Sequence, residues 1–109
     1  MSELIKRGEF SPDIKTDERI IISPEAKALL EAHPELCTRE DVANLLLRLT
    51  GSERKNIRQI KLSVNEQGHL RLFIDFGTPP GEQKIHGVSF ERTENGWEYR
   101  GKDFENPKI

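Results

Sequence analysis

Residues 69–76, HLRLFIDF, alternate between two chemistries. In an extended strand His69, Arg71, Phe73 and Asp75 fall on one side, and Leu70, Leu72, Ile74 and Phe76 on the other. The stretch 60–64 alternates in the same way and adds Lys61 and Ser63 to the polar side. An imidazole that moves a proton and a guanidinium that stabilises phosphate charge are groups that RNA cleavage uses. The same set also reads as a solvated sheet face with cross-strand polar pairs, Ser63 opposite Arg71 for example. Phe73 resists that plainer reading, because a large apolar ring there needs cover from an N-terminal arm or from a partner.

Other reactive residue types are scattered. His33, His69 and His86 fall at no metal-ligand spacing, and the lone Cys37 adds little, so no metal site and no cofactor are expected. A single cysteine also rules out an internal disulfide and suits a reducing compartment. Asp75-Phe76-Gly77 spells the metal-binding triplet of protein kinases, but neither a glycine-rich loop nor a catalytic loop accompanies it. Trp97 and Tyr99 share one side of a strand and are expected to close the core against Val88 and Phe90, whereas exposed they would make a binding patch.

The elements that must position these groups begin with a hairpin. Ile60, Leu62 and Val64 precede a turn at Glu66-Gln67-Gly68, and the alternation resumes at Leu70. A type I turn followed by Gly68 at positive φ pairs Val64 with Leu70 and Leu62 with Leu72, which puts the apolar residues of both strands on one face. Upstream, Ile20-Ile21-Ile22 suits a short strand. Ser23-Pro24-Glu25 then opens a helix with a capping hydroxyl, a proline at the first position and an acid in the first turn. His33-Pro34 should end it. Thr38 with Asp41 forms a capping box for a second helix, Cys37 and Val42 occupy the staple positions, and Val42, Leu45, Leu46 and Leu49 make a buried stripe. Gly51 reads as that helix's stop, and Leu47 falls off the stripe. Residues 52–58 read as a basic connector. A third strand is expected over Gln83–Glu91, with Gly87 bulged so that Ile85 and Val88 share a face. Asn95-Gly96 turns it into a fourth strand over 97–100.

The expected fold is therefore α+β. Two helices pack on one face of a three- to four-stranded antiparallel sheet, with residues 20–22 as an added short strand. Residues 1–18 read as a mobile N-terminal arm, 19–101 as one domain and 102–109 as a C-terminal tail.

Charged residues make up 33% of the chain against 34% hydrophobic, which predicts a modest core under a heavily charged surface. The net charge of -2 argues against a domain that lives on the phosphate backbone. Residues 53–76 nevertheless hold five basic residues against three acids. No apolar run approaches the roughly 20 residues of a membrane span, and MSELIKRGEF lacks the apolar centre of a signal peptide. A cytoplasmic protein that does not engage the membrane is expected.

Residues 20–32, IIISPEAKALLEA, followed by a second helix and a sheet, resemble the RelE/ParE-like toxins. That resemblance implies an RNA site drawing on Arg71, Lys84, His86 and Arg92, although such toxins are typically basic and this chain is mildly acidic. Thr38 to Leu46, TREDVANLL, is similar to the first helix of a bacterial helix-turn-helix regulator. The recognition helix it implies would fall where Ile60, Leu62 and Val64 alternate as a strand.

With no catalytic constellation, the leading expectation is a non-enzymatic protein-binding module, of the kind found in inhibitors, immunity proteins and adaptors, with another protein as its partner. Its candidate contacts are Leu47, Phe73 and Arg71. The rival is an RNA-cleaving or nucleic-acid-binding domain using Arg54, Lys55, Arg58, Lys61, Arg71 and His86. Salt separates the two, since phosphate binding weakens steeply with ionic strength.

Overall fold

The computed structural model describes residues 20–105. The arm assigned to residues 1–18 and the last residues of the expected tail, 106–109, lie outside the described residues. In chain order the elements are β1 (Ile20–Ile22), α1 (Pro24–Ala32), a single 3-10 turn (Pro34–Leu36), α2 (Arg39–Leu47), α3 (Gly51–Lys55), β2 (Gln59–Val64), β3 (Leu70–Gly77), β4 (Ile85–Thr93) and β5 (Gly96–Glu105). The class is α+β as expected, but the sheet is five-stranded and mixed, in the order β1-β2-β3-β4-β5. β1 is an integral edge strand that runs parallel to β2, with Ile20 opposite Ile60 and Ile22 opposite Leu62. The three α-helices of the described residues lie between these two strands in the chain. A connection of that length can carry the chain back to where β1 began, which a parallel pair requires. The remaining pairs are antiparallel.

Local chemistry accounts for the helix ends. The Ser23 hydroxyl accepts from the Ala26 amide at 3.2 Å. Thr38 and Asp41 exchange capping bonds of 3.1 and 3.0 Å. The expected stop at Gly51 is corrected. α2 ends at Leu47, and Gly51 instead opens α3, which Thr50 and Glu53 cap reciprocally at 3.0 and 2.9 Å. Much of the supposed connector is thus helical. Arg54 holds α3 against the end of α2 by donating to the carbonyl of Leu46 (3.2 Å), which also accepts from the Leu49 amide, and to that of Leu49 (2.6 Å), just past the helix.

The β2–β3 hairpin has the expected register, Val64 opposite Leu70 and Leu62 opposite Leu72, with Gly68 at φ 82°. Asn65 organises its turn, its side-chain oxygen accepting from the amides of Gln67 and His69. The apolar residues of this hairpin meet the helices in one core. Ala26, Val42, Leu45, Leu46 and Leu49 come from the helical layer, and Ile60, Leu62, Leu70, Leu72, Ile74, Val88 and Phe90 from the sheet. Each large side chain buried there contributes on the order of 1.5–3 kcal/mol.

The bulge expected at Gly87 is not there. β4 runs regularly through it, so Ile85 and Val88 fall on opposite faces, and the irregularities lie at Asp75–Gly77 and Ser89–Phe90. Gly87 serves close packing instead. A Cβ there would sit 2.6 Å from the Phe73 ring and would strike the Ile74 carbonyl oxygen. β5 continues to Glu105, so the first residues assigned to a tail are strand. Among the described residues no helix is long and apolar enough to cross a membrane.

Candidate functional site

The two faces of the sheet differ in chemistry. On the face away from the helices, strand parity gathers Lys61, Arg71, Phe73, Asp75, Ser89, Asp103 and Glu105. Arg71 donates to Asp103 and, at 3.0 Å, to Glu105, and its guanidinium stacks 5.2 Å from the centre of the Phe73 ring. Lys61 lies 3.4 Å from Glu105 and 6.0 Å from the same ring. Burial works to lower the Arg71 pKa, but its hydrogen bonds to the two carboxylates prevail and raise it. Phe73 is fully buried beneath this network, so it is not the surface contact expected of it. The gap left by Gly87 accommodates the ring, and the charged ends of Lys61 and Arg71 lie over it.

A second network lies at the turn end of the same face. Glu91 receives His69 Nδ1 at 2.6 Å, Asn65 Nδ2 at 3.0 Å and Arg100 Nε at 2.8 Å. Hydrogen bonds from His69, then Asn65, then Arg100 hold its carboxyl at about 2. Arg100 also pairs with Glu98 at 3.1 Å.

The six cations proposed for nucleic acid do not gather. Lys61 and Arg71 sit on the outer face, already paired with acids. Arg54 is committed to the helix carbonyls. Lys55 and Arg58 are exposed, and the Arg58 stem lies over Gly77. His86 is on the helix-facing side, bonded to Glu82 at 2.6 Å and edge-on to Phe104 at 4.8 Å. The Lys84 side chain is exposed, whereas Arg92 is half-buried on the helix-facing side opposite Trp97. Among the described residues the three histidines meet only carboxylates in these bonds, and no hydroxyl or thiol stands ready as a nucleophile. The Cys37 thiol is buried, and burial, together with the nearby Asp41, pushes it up to about 12 against a smaller opposing effect of Arg92. Nor do three His, Cys, Asp or Glu side chains gather to hold a metal among the described residues.

The helix-facing side has an open end. Between the end of α2, α3 and strands β4 and β5 lies a cleft of about 250 Å³, lined by Arg48, Leu49, Glu53, Val88, Phe90 and Tyr99. Its floor is apolar. Tyr99 leans on Phe90 with ring centres 5.4 Å apart, and the Arg48 guanidinium lies 5.9 Å from the centre of the same ring. Trp97 packs on the core as expected, but Tyr99 remains 53% exposed, and Leu47 and Phe104 are each half exposed. Of the protein-binding candidates read from the sequence, Leu47 is thus at the surface, Arg71 is engaged in ion pairs and Phe73 is buried. Sequence patterning missed Arg48, Leu49, Glu53 and Tyr99 as a group. No local pattern groups them, because they come from the end of α2, from α3 and from β5.

Compared with known proteins, the chain matches no family model, no curated protein and no solved structure.

Proposed function

We propose that the chain is a cytoplasmic, non-enzymatic protein-binding module of the inhibitor, immunity-protein or adaptor kind, binding through the open β4–β5 end of its helix-facing side. The observation that carries this reading is Tyr99, half exposed beside a cleft whose floor is Leu49, Val88 and Phe90. Tyrosine at the edge of an apolar depression is a recurrent anchor of protein interfaces, because it offers a large contact area with few rotamers to freeze. The rival reading, an RNA-cleaving or nucleic-acid-binding domain, draws on cations of which Lys61 and Arg71 already have acidic partners.

Affinity capture from a lysate, with and without nuclease, tests the proposal. The expected result is one protein retained in both samples and lost with Tyr99→Lys. Truncating or reversing an anchor of this type typically costs about 2 kcal/mol, roughly thirtyfold in affinity. Recovery of nucleic acid, or of proteins that nuclease removes, would refute it, as would retention unaffected by Tyr99→Lys.

A further inference from the structure

The charges around the cleft are arranged unlike those on the outer face. There, Lys61, Arg71 and Arg100 each meet a carboxylate within 3.4 Å. At the cleft, Arg48 lies on the lip with its guanidinium over Phe90, and Lys102 stands opposite Val88, whose side chain lines the cleft. Both are exposed, and neither pairs with a carboxylate among the described residues. One acid, Glu53, lines the cleft, and its Oε1 is turned back to cap the Thr50 amide at 2.9 Å. The described residues around the cleft therefore set two cations and one acid about an apolar floor, a local balance of +1 in a chain whose net charge is -2.

We infer that the cleft takes an acidic segment of a partner protein, in which an apolar side chain enters beside Tyr99 and flanking carboxylates meet Arg48 and Lys102. This rests on the protein-binding reading above and names the partner chemistry for the same site. Electrostatic complementarity of this kind selects among partners and speeds encounter more than it adds raw affinity. The apolar floor supplies the affinity, and the two cations decide which apolar segments are accepted. A basic segment would bring like charges up to Arg48 and Lys102, a repulsion that salt should weaken because both are exposed.

The experiment pans random displayed peptides of a dozen residues against the full chain, then measures the enriched peptides on variants. The expected pool carries Asp and Glu around one Leu, Phe or Trp. Its affinity should fall at least about tenfold with Arg48→Glu combined with Lys102→Glu, and also with Tyr99→Lys. Both reversed side chains are exposed, and an unchanged circular dichroism spectrum and melting curve establish that the variants fold. A neutral or basic pool that is lost with Tyr99→Lys would overturn the charge inference and leave the protein-binding reading standing. So would an acidic pool indifferent to the charge reversal. A pool indifferent to Tyr99→Lys, or no enrichment at all, would overturn both.

Discussion

Gly87→Ala pits two opposed physical effects against each other. Gly87 is not at positive φ. At such a position alanine ordinarily stabilises by about 0.4–1 kcal/mol, because it restricts the unfolded chain. Here the added methyl would meet the Ile74 carbonyl oxygen, a backbone atom in the middle of β3, and two carbons of the Phe73 ring at 2.6 and 2.8 Å. Real Cβ atoms do not approach so closely, so either the strands part or the ring leaves its rotamer. Overpacking of this kind costs about 1–3 kcal/mol, and collision with backbone rather than a flexible side-chain tip puts the cost near the top of that range. It exceeds the entropic gain and leaves a net loss of about 2 kcal/mol.

For a domain of this size that loss lowers the Tm by roughly 8–16 °C, readable by circular dichroism melting. Phe73→Leu in the same chain separates the two collisions. Removing the ring relieves its share of the strain but not the carbonyl's, so the double variant should be less damaged than the sum of the single variants by about 0.5–2 kcal/mol. A Gly87→Ala protein as stable as the parent would refute the packing described for this face, and an additive double variant would remove Phe73 from the explanation.

The Glu91 carboxyl, held at about 2 by His69, Asn65 and Arg100, lies below its unfolded value of 4.5. Its contribution to stability is therefore complete above about pH 4.5 and is lost as pH falls toward 2, so Glu91→Gln should flatten the acid limb of a denaturation series over that window. Thr50→Ala removes half of the α3 capping box and should cost about 1 kcal/mol in urea unfolding, with α2 also loosened if the Arg54 bonds depend on it. The Cys37 thiol, at about 12 and buried, should not react with a disulfide reagent at pH 8 until denaturant is added. Rapid labelling of the folded protein would show that the staple position is open.

What was legible in the sequence is what short-range pattern specifies. Period-two alternation and Gly68 set the β2–β3 register, and the Thr38 and Ser23 caps set two helix starts. The Thr50–Glu53 box is equally local, but Gly51 between them has the look of a helix stop, although a glycine at the first helical position leaves the reciprocal bonds intact. The parallel direction of β1 was less accessible, since a three-residue strand carries no signal of its partner. Coverage of the sheet follows from where the helices dock. Among the described residues α1 packs against β2, toward the β1 side of the sheet, and the strand at the far edge buries none of its residues fully. That strand is β5, and Tyr99 is on it.

The candidate site was hidden for a different reason. Parity tells which side of a strand Arg71 occupies but not which charges stand beside it, and its acidic partners lie 32 and 34 residues further along the chain. Both come from the stretch read as a polar tail. Once Asp103 and Glu105 are in β5, the outer face changes from a cationic surface to an internally neutralised one over a buried ring. The intervening residues of the same strand, Lys102 and Phe104, take the opposite parity and turn to the helix-facing side. One strand thus pairs the cations of one face and adds a cation to the other. A charge count over residues 53–76 could not see this, because the compensating acids arrive only when the last strand docks.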